Sequence, residues 1–309
     1  MMTFKQLEAL YWIVELGSFA AAAKKLNTTQ SAISKRIYEL ELTFKTQLFD
    51  RTQRVAQPTE AGQQMIAVAR NLLEQRDLAI EQFARLDVVR RRVRIGLTEI
   101  TAMTWFPRLV RRIQQEFPKV VIEPDVDLTG NLHEKALAGD LDIAIVPDAF
   151  EDHRLERSKL GKVTFRWMCR PGLNPDSPTV SLQSLSELTW LVQGDRSGTG
   201  LIYGAWFKAR RVAPARIIRS DSLVAIIGMT VAGLGVAYLP ARCLAPLTEL
   251  GMLRPLSVRP ALPAVQYVAL RRSTAKSALI DAITSLASEC CDFSQLFQDT
   301  SRGTTPLAG

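Results

Sequence analysis

Histidine and cysteine are scarce in this chain of 309 residues. The two histidines are His133 and His153, and the four cysteines are Cys169, Cys243, Cys290 and Cys291. Thiols so few and so unevenly spaced exclude a disulfide framework and a four-thiolate zinc site. Two histidines leave few candidates for a general base at neutral pH. We therefore expect no metal site and no cofactor.

Two kinds of targeting segment are also missing. The chain has no apolar run of the roughly 18 residues that a membrane-spanning helix needs. Its first residues lack the cationic head and the long apolar core of a secretory signal. We therefore expect a cytoplasmic protein without a membrane partner.

The composition is that of a globular protein with several domains. Apolar residues make up 47% and charged residues 23%, which excludes a disordered chain. At roughly 100–200 residues per domain, the length predicts two or three domains. The net charge of +8 suits a polyanionic partner, but residues 1–60 hold only eight basic side chains against six acidic ones. The densest basic run, Arg90–Arg94, lies at an expected domain junction. A nucleic-acid partner must therefore be argued from individual residues.

The first sixty residues have the pattern of a helix-turn-helix. Apolar residues at steps of three and four predict a helix that starts near Phe4 and ends at Gly17. Ser18 can cap a second helix of small residues, and a turn then precedes a third helix over residues 30–42. This order is typical of a DNA-binding helix-turn-helix.

The predicted third helix has an aliphatic face and a polar face. Ile33, Ile37 and Leu40 share the first, and the second carries Gln30, Ser31, Ser34, Lys35 and Tyr38. Gln and Ser near the start of such a helix can reach base edges, and Lys35 and Arg36 can meet bases or phosphates. Arg51 and Arg54 suit a β-wing beside the DNA backbone. Periodicity alone fits equally well a small helical subdomain with a solvated charged face.

The residue order here resembles the N-terminal domain of LysR-type transcriptional regulators. The resemblance lies in LEALYWIVELGSFAAAAKKLNTTQSAISKRIYELE, in LFDRTQR and in PTEAG. It implies an all-α winged helix-turn-helix domain over residues 1–59. It also implies DNA contacts by Thr29, Gln30, Ser31, Ser34, Lys35 and Arg36 at the recognition helix, and by Arg51 and Arg54 in the wing. Ser31 replaces a frequent Pro and Lys35 a frequent Arg, and Lys lacks the fork with which Arg binds guanine.

A long helix is predicted over residues 60–87. Its apolar heptad positions are Met65, Ala69, Leu72, Ala79, Phe83 and Leu86, with one polar interruption at Arg76. Such a seam needs a partner, and a symmetric dimer would present two recognition helices to two half-sites. The alternative is a helix packed on its own chain.

Strands and helices alternate after a hinge at residues 88–92. Strand patterns lie at residues 93–97, 120–126, 141–146, 164–169, 215–219, 235–239 and 266–270. Helical patterns lie at residues 98–113, 132–138, 205–210 and 277–291. This alternation predicts a doubly wound α/β region.

The α/β region resembles the effector domain of the same family. VRIGL, ALAGDLDIAIV, RSGTG and SDSLVAIIGMTVAGLGVAYLP follow in the family's order. The resemblance implies a periplasmic-binding-protein-like domain over residues 93–298. Subdomain I would comprise residues 93–162 and 268–298, and subdomain II residues 163–267, with a small molecule bound between them. The polar tail, residues 299–309, is expected to be disordered.

Polar helix starts indicate where a small molecule could bind. Helix N-termini carry unpaired N–H groups and a partial positive charge, which suit a carboxylate. The candidate effector-binding residues are Thr98, Glu99, Ile100, Thr101, Thr129, Gly130, Ser197, Gly198 and Thr199. Each of them can instead be a simple capping or turn residue. Glu99 would oppose an anion, so it either points outward or selects an effector with an amino group.

These patterns predict a LysR-type regulator that is not an enzyme. It would bind a dyad-symmetric promoter site on double-stranded DNA as a homodimer or homotetramer, respond to a small-molecule effector and contact RNA polymerase. One alternative is a cytoplasmic sensing or solute-binding protein without specific DNA binding. Another is an enzyme in the α/β cleft, but Gly233 and Gly235 do not form a dinucleotide-binding motif and no catalytic constellation stands out.

Overall fold

The computed structural model describes residues 1–50, 56–83, 86, 91–173, 179–274 and 276–298. The chain forms two compact units, residues 1–84 and residues 85–309. Among the described helices, none is both long and apolar enough to cross a membrane.

The first unit is helical apart from one short strand pair. Its elements are α1 (Phe4–Leu16), α2 (Phe19–Lys25), α3 (Gln30–Phe44), β1 (Phe49–Asp50), β2 (Gln57–Pro58) and α4 (Glu60–Phe83). β1 and β2 are antiparallel, with Phe49 opposite Pro58. Residues 51–55, the expected tip of the wing, lie outside the described residues. The fold therefore contains the expected helix-turn-helix followed by a long helix.

Capping residues set the helix boundaries of this unit. Thr3 and Gln6 form a capping box at the start of α1, with N–H to side-chain oxygen distances of 2.9 and 3.4 Å. α1 ends at Gly17, whose φ of 65° is in the left-handed region that favours glycine. The hydroxyls of Ser18 and Thr29 accept N–H groups in the first turns of α2 and α3. These local signals explain why the sequence predicted the first three helices well.

The core of the first unit joins all of its long helices. Its fully buried side chains include Leu7, Leu10, Ile13, Ile33, Leu40 and Ala69. α4 begins so close to the preceding segment that a Cβ on Gly62 would lie 2.1 Å from the carbonyl oxygen of Leu48. Only glycine permits this approach, so Gly62 fixes the start of α4 against the helix-turn-helix core.

The second unit alternates strands and helices. Its strands are β3 (Arg92–Leu97), β4 (Val121–Val126), β5 (Ile143–Pro147), β6 (Leu155–Val163), β7 (Phe165–Cys169), β8 (Val180–Ser181), β9 (Thr189–Val192), β10 (Arg216–Arg219), β11 (Val236–Pro240), β12 (Arg254–Pro255), β13 (Val258–Arg259) and β14 (Val265–Arg272). Its helices are α5 (Glu99–Met103), α6 (Phe106–Glu116), α7 (Thr129–Ala138), α8 (Leu182–Ser186), α9 (Gly198–Ala209), α10 (Leu223–Val231), α11 (Ala245–Glu249) and α12 (Ala278–Cys290).

Ten of these strands form two five-stranded sheets that divide the second unit into two halves, and β8 and β13 form a separate parallel pair. The first sheet has the order β4-β3-β5-β14-β6, and the second has the order β10-β9-β11-β7-β12. In each sheet the first three strands in this order are parallel, and the fourth strand, β14 or β7, is antiparallel to both of its neighbours. The predicted α/β architecture is therefore present twice.

The chain crosses between the sheets at β6–β7 and again before β14. Val163 pairs with Val265 in the first sheet. Residues 163 and 265–267 therefore belong to the first half, whereas the sequence assigned them to the second. The difference arises because β6 and β14 continue to pair almost to the crossing point.

Helix starts differ most from the sequence prediction. The single helix expected over residues 98–113 is two helices, since the chain leaves the helical conformation at Thr104 and Pro107 opens α6. α7 begins earlier than expected, at Thr129, whereas α9 begins at Gly198, after the polar helix start at Ser197 that the sequence indicated and well before the helical pattern at residues 205–210. Strands β6 and β9 and helix α10 are absent from the predicted alternation.

Candidate functional sites

α3 presents a continuous polar face to solvent. Gln30, Ser31, Ser34 and Lys35 are exposed, whereas Ile33, Ile37 and Leu40 on the opposite side are buried. The buried side of α3 packs against α1 and α2. The exposed side carries hydrogen-bond donors and acceptors that are one to four residues apart in sequence. A polar helix face of this kind can enter the major groove of DNA.

The hydroxyl groups of Thr29 and Ser31 stabilise the start of α3. Thr29 Oγ1 accepts the N–H of Ala32 at 3.2 Å and lies 3.0 Å from Ser31 Oγ. Thr29 is therefore first of all the N-cap of α3, and its hydroxyl is partly engaged before any DNA is bound. The hydroxyl of Ser31 is likewise partly engaged, since it takes part in this contact with Thr29.

The basic residues near α3 have different surroundings. Lys35 is exposed and lies 4.0 Å from Glu39, a separation at which an exposed ion pair contributes little. Arg36 is only half-exposed and lies to the side of the polar face. Arg51 and Arg54 lie outside the described residues, so their assignment to the wing stays a prediction.

Two further side chains share the exposed face of α3. Tyr38 is 53% exposed and Leu42 is 57% exposed. The sequence placed Tyr38 on the polar face without making it a DNA-binding residue, and it predicted that the helix ended at Leu42. Tyr38 follows Ser34 by four residues, and Leu42 follows Lys35 by seven. Residues at these spacings share one face of a helix, so the sequence could have indicated that the exposed face extends by one more turn.

The heptad seam of α4 is divided between two environments. Ala69 is fully buried in the core of its own unit, and Met65 and Leu72 pack partly against that core. Arg76 pairs with Glu8 of α1 at 2.6 Å. Ala79 is exposed and Phe83 is 88% exposed. The alternative of a helix packed on its own chain thus describes the first half of α4, and Ala69 is no free dimer contact.

A cavity of about 420 Å³ lies in the second unit, between its two halves. The lining comes from both sheets and from the starts of α5, α7, α9 and α10. Its polar members are Thr98, Glu99, Asp127, Thr129, Asn131, Gln193, Ser197, Thr199, Asp221, Ser222 and Tyr267. Its apolar members include Ile100, Phe165 and Leu223.

Most of the predicted effector-binding residues meet in this cavity. Thr98, Glu99, Ile100, Thr129, Ser197 and Thr199 line it. Thr101 is fully buried behind it, with its hydroxyl 3.4 Å from that of Thr98. Gly130 and Gly198 also do not line it, because they form the close contact between the two halves. The N–H of Gly130 donates to Arg196 at 2.8 Å, and a Cβ on Gly198 would lie 2.7 Å from Pro147.

Gln193 holds the hydroxyls at the start of α9 in place. Its Oε1 atom accepts from Ser197 Oγ at 2.9 Å and from Thr199 Oγ1 at 2.7 Å. The sequence left open whether these hydroxyls bind an effector or only cap the helix. Both already donate to one side chain, and Ser197 also accepts the N–H of Gly200 as the N-cap of α9. Thr129 differs, since it is 1% exposed and its hydroxyl makes no hydrogen bond with any described residue.

Glu99 points across the cavity rather than outward. Its carboxylate accepts a hydrogen bond from Ser222 Oγ at 3.0 Å and another from the N–H of Leu223. Both groups belong to the start of α10 in the opposite half. α5, on which Glu99 lies, has only five residues, so its start is a poor anion site. The expected anion clamp between Thr98–Thr101 and Ser197–Gly200 is therefore replaced by a contact within the chain.

Two acidic residues of the cavity went unpredicted. Asp127 accepts from Lys135 at 2.9 Å and from Asn131 at 2.6 Å. Burial alone would raise the pKa of Asp127, but these hydrogen bonds outweigh it and lower the pKa below its usual range. Asp221 precedes the N-cap Ser222 of α10. The motif SDSL, a capping signal before an apolar run, would have indicated this helix start.

The side chains that the sequence discounted have structural roles. His133 stacks on Phe150 with ring centroids 4.6 Å apart, and burial lowers its pKa. Cys169, Cys243 and Cys290 are buried. Burial raises the pKa of Cys291 to about 11 and that of Cys243 to about 12.

Comparison with known proteins places both units in one family. Residues 4–63 match the family described as "Bacterial regulatory helix-turn-helix protein, lysR family", and residues 86–290 match "LysR substrate binding domain". The chain is 28% identical over 249 residues to the nitrogen assimilation regulatory protein nac of Klebsiella aerogenes, across 77% of this chain and 78% of that protein.

Solved structures with low identity share the fold. Full-length OxyR from Pseudomonas aeruginosa has a TM-score of 0.70 at 20% identity, covering 97% of this chain and 99% of that one. Full-length CbnR in complex with its target DNA has a TM-score of 0.62 at 21% identity, covering 93% and 99%. At these identities the likeness concerns the fold alone.

Proposed function

The chain belongs to the LysR family of bacterial transcriptional regulators, and we propose that it binds a dyad-symmetric promoter site through α3. We further propose that a small molecule in the cavity of the second unit changes this binding. DNA-dependent regulation, rather than catalysis, is the function of the family. The observation that carries the proposal is the exposed polar face of α3.

The proposed DNA contacts follow from position on α3. Gln30 and Ser34 are exposed and one helical turn apart, so both can face the same stretch of base edges. Lys35 provides a mobile point charge for a phosphate, and Arg51 and Arg54 supply phosphate contacts from the wing. The structural relative CbnR was solved with its target DNA, which supports DNA as the partner.

The proposed assembly is a homodimer or homotetramer. Ala79 and Phe83 are the seam residues of α4 that remain exposed, and Ile80 beside them is 52% exposed. Large apolar side chains at this spacing on one helix are favourable dimer contacts. A dimer would present two copies of α3 to two half-sites. Because it would act at promoters, the proposed location of the protein is the cytoplasm. RNA polymerase is a further proposed partner.

Coupling requires a ligand that binds two states of the protein with different affinities. The cavity is suited to this role because both halves of the second unit contribute to it. A ligand there would alter the contact between Gly130 and Arg196, which joins the two halves. Such a change in the second unit is the proposed origin of altered DNA binding.

A footprint on the DNA upstream of the protein's own gene tests the first part of the proposal. We expect protection of a dyad-symmetric site, with affinity well above that for an unrelated duplex at the same salt concentration. The variant Gln30→Ala should lose this preference, and Gln64→Ala, an exposed change on α4, should keep it. If neither the upstream DNA nor genomic fragments selected by the protein contain a preferred site, sequence-specific regulation is wrong.

A further inference from the structure

The N-terminus of α10 already holds an anion that belongs to the chain. The carboxylate of Glu99 bonds to Ser222 and to the N–H of Leu223, which are the groups that an effector's carboxylate would seek at a helix start. Ser222 also accepts the N–H of Ala225 at 3.3 Å, so two N–H groups in the first turn of α10 are already bonded to side chains. An anionic ligand would have to displace Glu99 from this position.

The cavity carries an excess of negative charge. Glu99, Asp127 and Asp221 line it, and no described lining residue is Lys or Arg. Asp127 is balanced by Lys135, which pairs with Asp125 as well. Asp221 is exposed to the cavity and forms no ion pair with a described residue. Charge of this sign in a partly enclosed space repels carboxylates and attracts cations.

One hydroxyl group that lines the cavity has no hydrogen-bond partner among the described residues. It belongs to Thr129, a residue that is 1% exposed. Because the protein leaves this hydroxyl without a bond, it is available to a ligand, and it can accept a hydrogen bond from an ammonium N–H. The apolar wall of Ile100, Phe165 and Leu223 faces the same space and suits a hydrocarbon body.

We infer that the effector is a small organic amine that binds in its protonated form. Glu99 and Asp221 supply the negative potential, Thr129 accepts a hydrogen bond, and the apolar wall holds the carbon skeleton. Glu99 acts without leaving α10, because its charge stays in the cavity while its oxygens cap the helix. This inference rests on the proposed function of the cavity as the effector site.

Matched probes of opposite charge test the inference on the full-length protein. The pairs are hexylammonium with hexanoate and phenethylammonium with 3-phenylpropionate, measured by calorimetry and by their effect on the DNA complex. We expect each ammonium ion to bind about tenfold more tightly than its carboxylate partner. The double variant Glu99→Gln, Asp221→Asn should lose most of this preference, and Glu151→Gln, an exposed charge outside the cavity, should keep it.

The variant Thr129→Val tests whether the ammonium probes bind in this cavity. It removes the unbonded hydroxyl, so it should weaken binding of these probes without unfolding the protein. Circular dichroism confirms the fold of each variant. Tighter binding of the carboxylates would overturn the inference and leave the effector site in place. A preference for ammonium that is unchanged in the double variant would also overturn it, because the amine would then bind elsewhere. If no probe of either charge binds, the proposed effector site fails together with the inference.

Discussion

Arg91 and Asp142 form a buried ion pair that ties the start of β3 to the start of β5. Their Nη2 and Oδ1 atoms are 2.8 Å apart, and the two side chains are 8% and 6% exposed. Arg91 also donates to Ser277 Oγ at 3.2 Å, and the second oxygen of Asp142 accepts the N–H of Arg94 at 2.8 Å. Every charged group of this cluster is thus hydrogen-bonded, which is the condition for burying charge.

We expect Asp142→Ala to destabilise the second unit strongly. The substitution leaves the guanidinium of Arg91 buried without its counter-charge, at a cost of about 3–5 kcal/mol in the free energy of unfolding. Urea denaturation of the full chain, followed by tryptophan fluorescence, measures this loss. Glu289→Ala is the matched control, because the side chains of its ion pair with Arg112 are both exposed. Equal losses in the two variants would contradict a special role for the buried pair.

Changes at Gln30 and Ser34 should alter which DNA sequence is preferred. Gln30→Ala removes a side chain that can bind a base edge with two hydrogen bonds, a contact that contributes about 1–3 kcal/mol of discrimination. Competition between the upstream site and single-base variants of it measures the effect. If Gln30→Ala and Ser34→Ala weaken every sequence equally, these residues contact phosphates rather than bases.

Changes at the basic residues should lower affinity without altering preference. Lys35→Ala, Arg51→Ala and Arg54→Ala each remove one proposed phosphate contact. The slope of log affinity against log salt should therefore become shallower by about 0.9 for each. Binding titrations at several salt concentrations give the slope. An unchanged slope for any one variant would remove that residue from the phosphate contacts.

Thr29 should matter for folding as well as for DNA. Thr29→Ala removes the cap of α3 and the bond to Ser31, at a cost of about 1 kcal/mol in the free energy of unfolding. Thr29→Ser keeps a capping hydroxyl and should keep the stability of the first unit. Thermal unfolding separates the two variants. A loss of DNA affinity in the serine variant, at full stability, would show that the methyl group of Thr29 contacts DNA.

The cysteines should react slowly in the folded protein. Burial raises the pKa of Cys291 to about 11, whereas an ordinary thiol has a pKa of about 8.5. Because only the thiolate reacts, alkylation of Cys291 by iodoacetamide at pH 8 should be slow and should accelerate with rising pH up to about 11. Labelling in guanidinium chloride is the control for full reactivity. Fast labelling of native protein at pH 8 would contradict the raised pKa.

Helix starts show how far local signals lead. Ser18, Thr29 and Ser197 were predictable caps, because a cap acts on N–H groups two or three residues away. Ser222 carries the same signal, yet helix α10 was missed because its apolar residues resemble a buried strand over so short a length. The hydroxyls that line the cavity of the second unit were found for the same local reason, since polar caps occur at helix starts.

The basic run at Arg90–Arg94 shows that nearby sequence does not reveal which charges are paired in the folded protein. In sequence it is the densest positive charge of the chain, which suggests an anion-binding patch. In the structure Arg91 pairs with Asp142, Arg92 pairs with Glu123 at 2.6 Å, and Arg94 donates to the carbonyl of Gly139 at 3.0 Å. Asp142 and Glu123 lie far along the chain, so only the packing of β3 beside β4 and β5 reveals that Arg91 and Arg92 are paired with carboxylates. Arg90 lies outside the described residues.

The sequence by itself determined the helix-turn-helix, the polar face of α3 and the repeated α/β pattern, because periodicity and capping depend on residues a few positions apart. The tertiary structure alone decided which of the predicted side chains remain free. Ala69 of the heptad seam is buried by its own chain, and Ser197 and Thr199 donate to Gln193. Glu99 meets Ser222 across 123 positions of sequence. Burial and charge pairing depend on such distant partners, and only the folded chain brings them together.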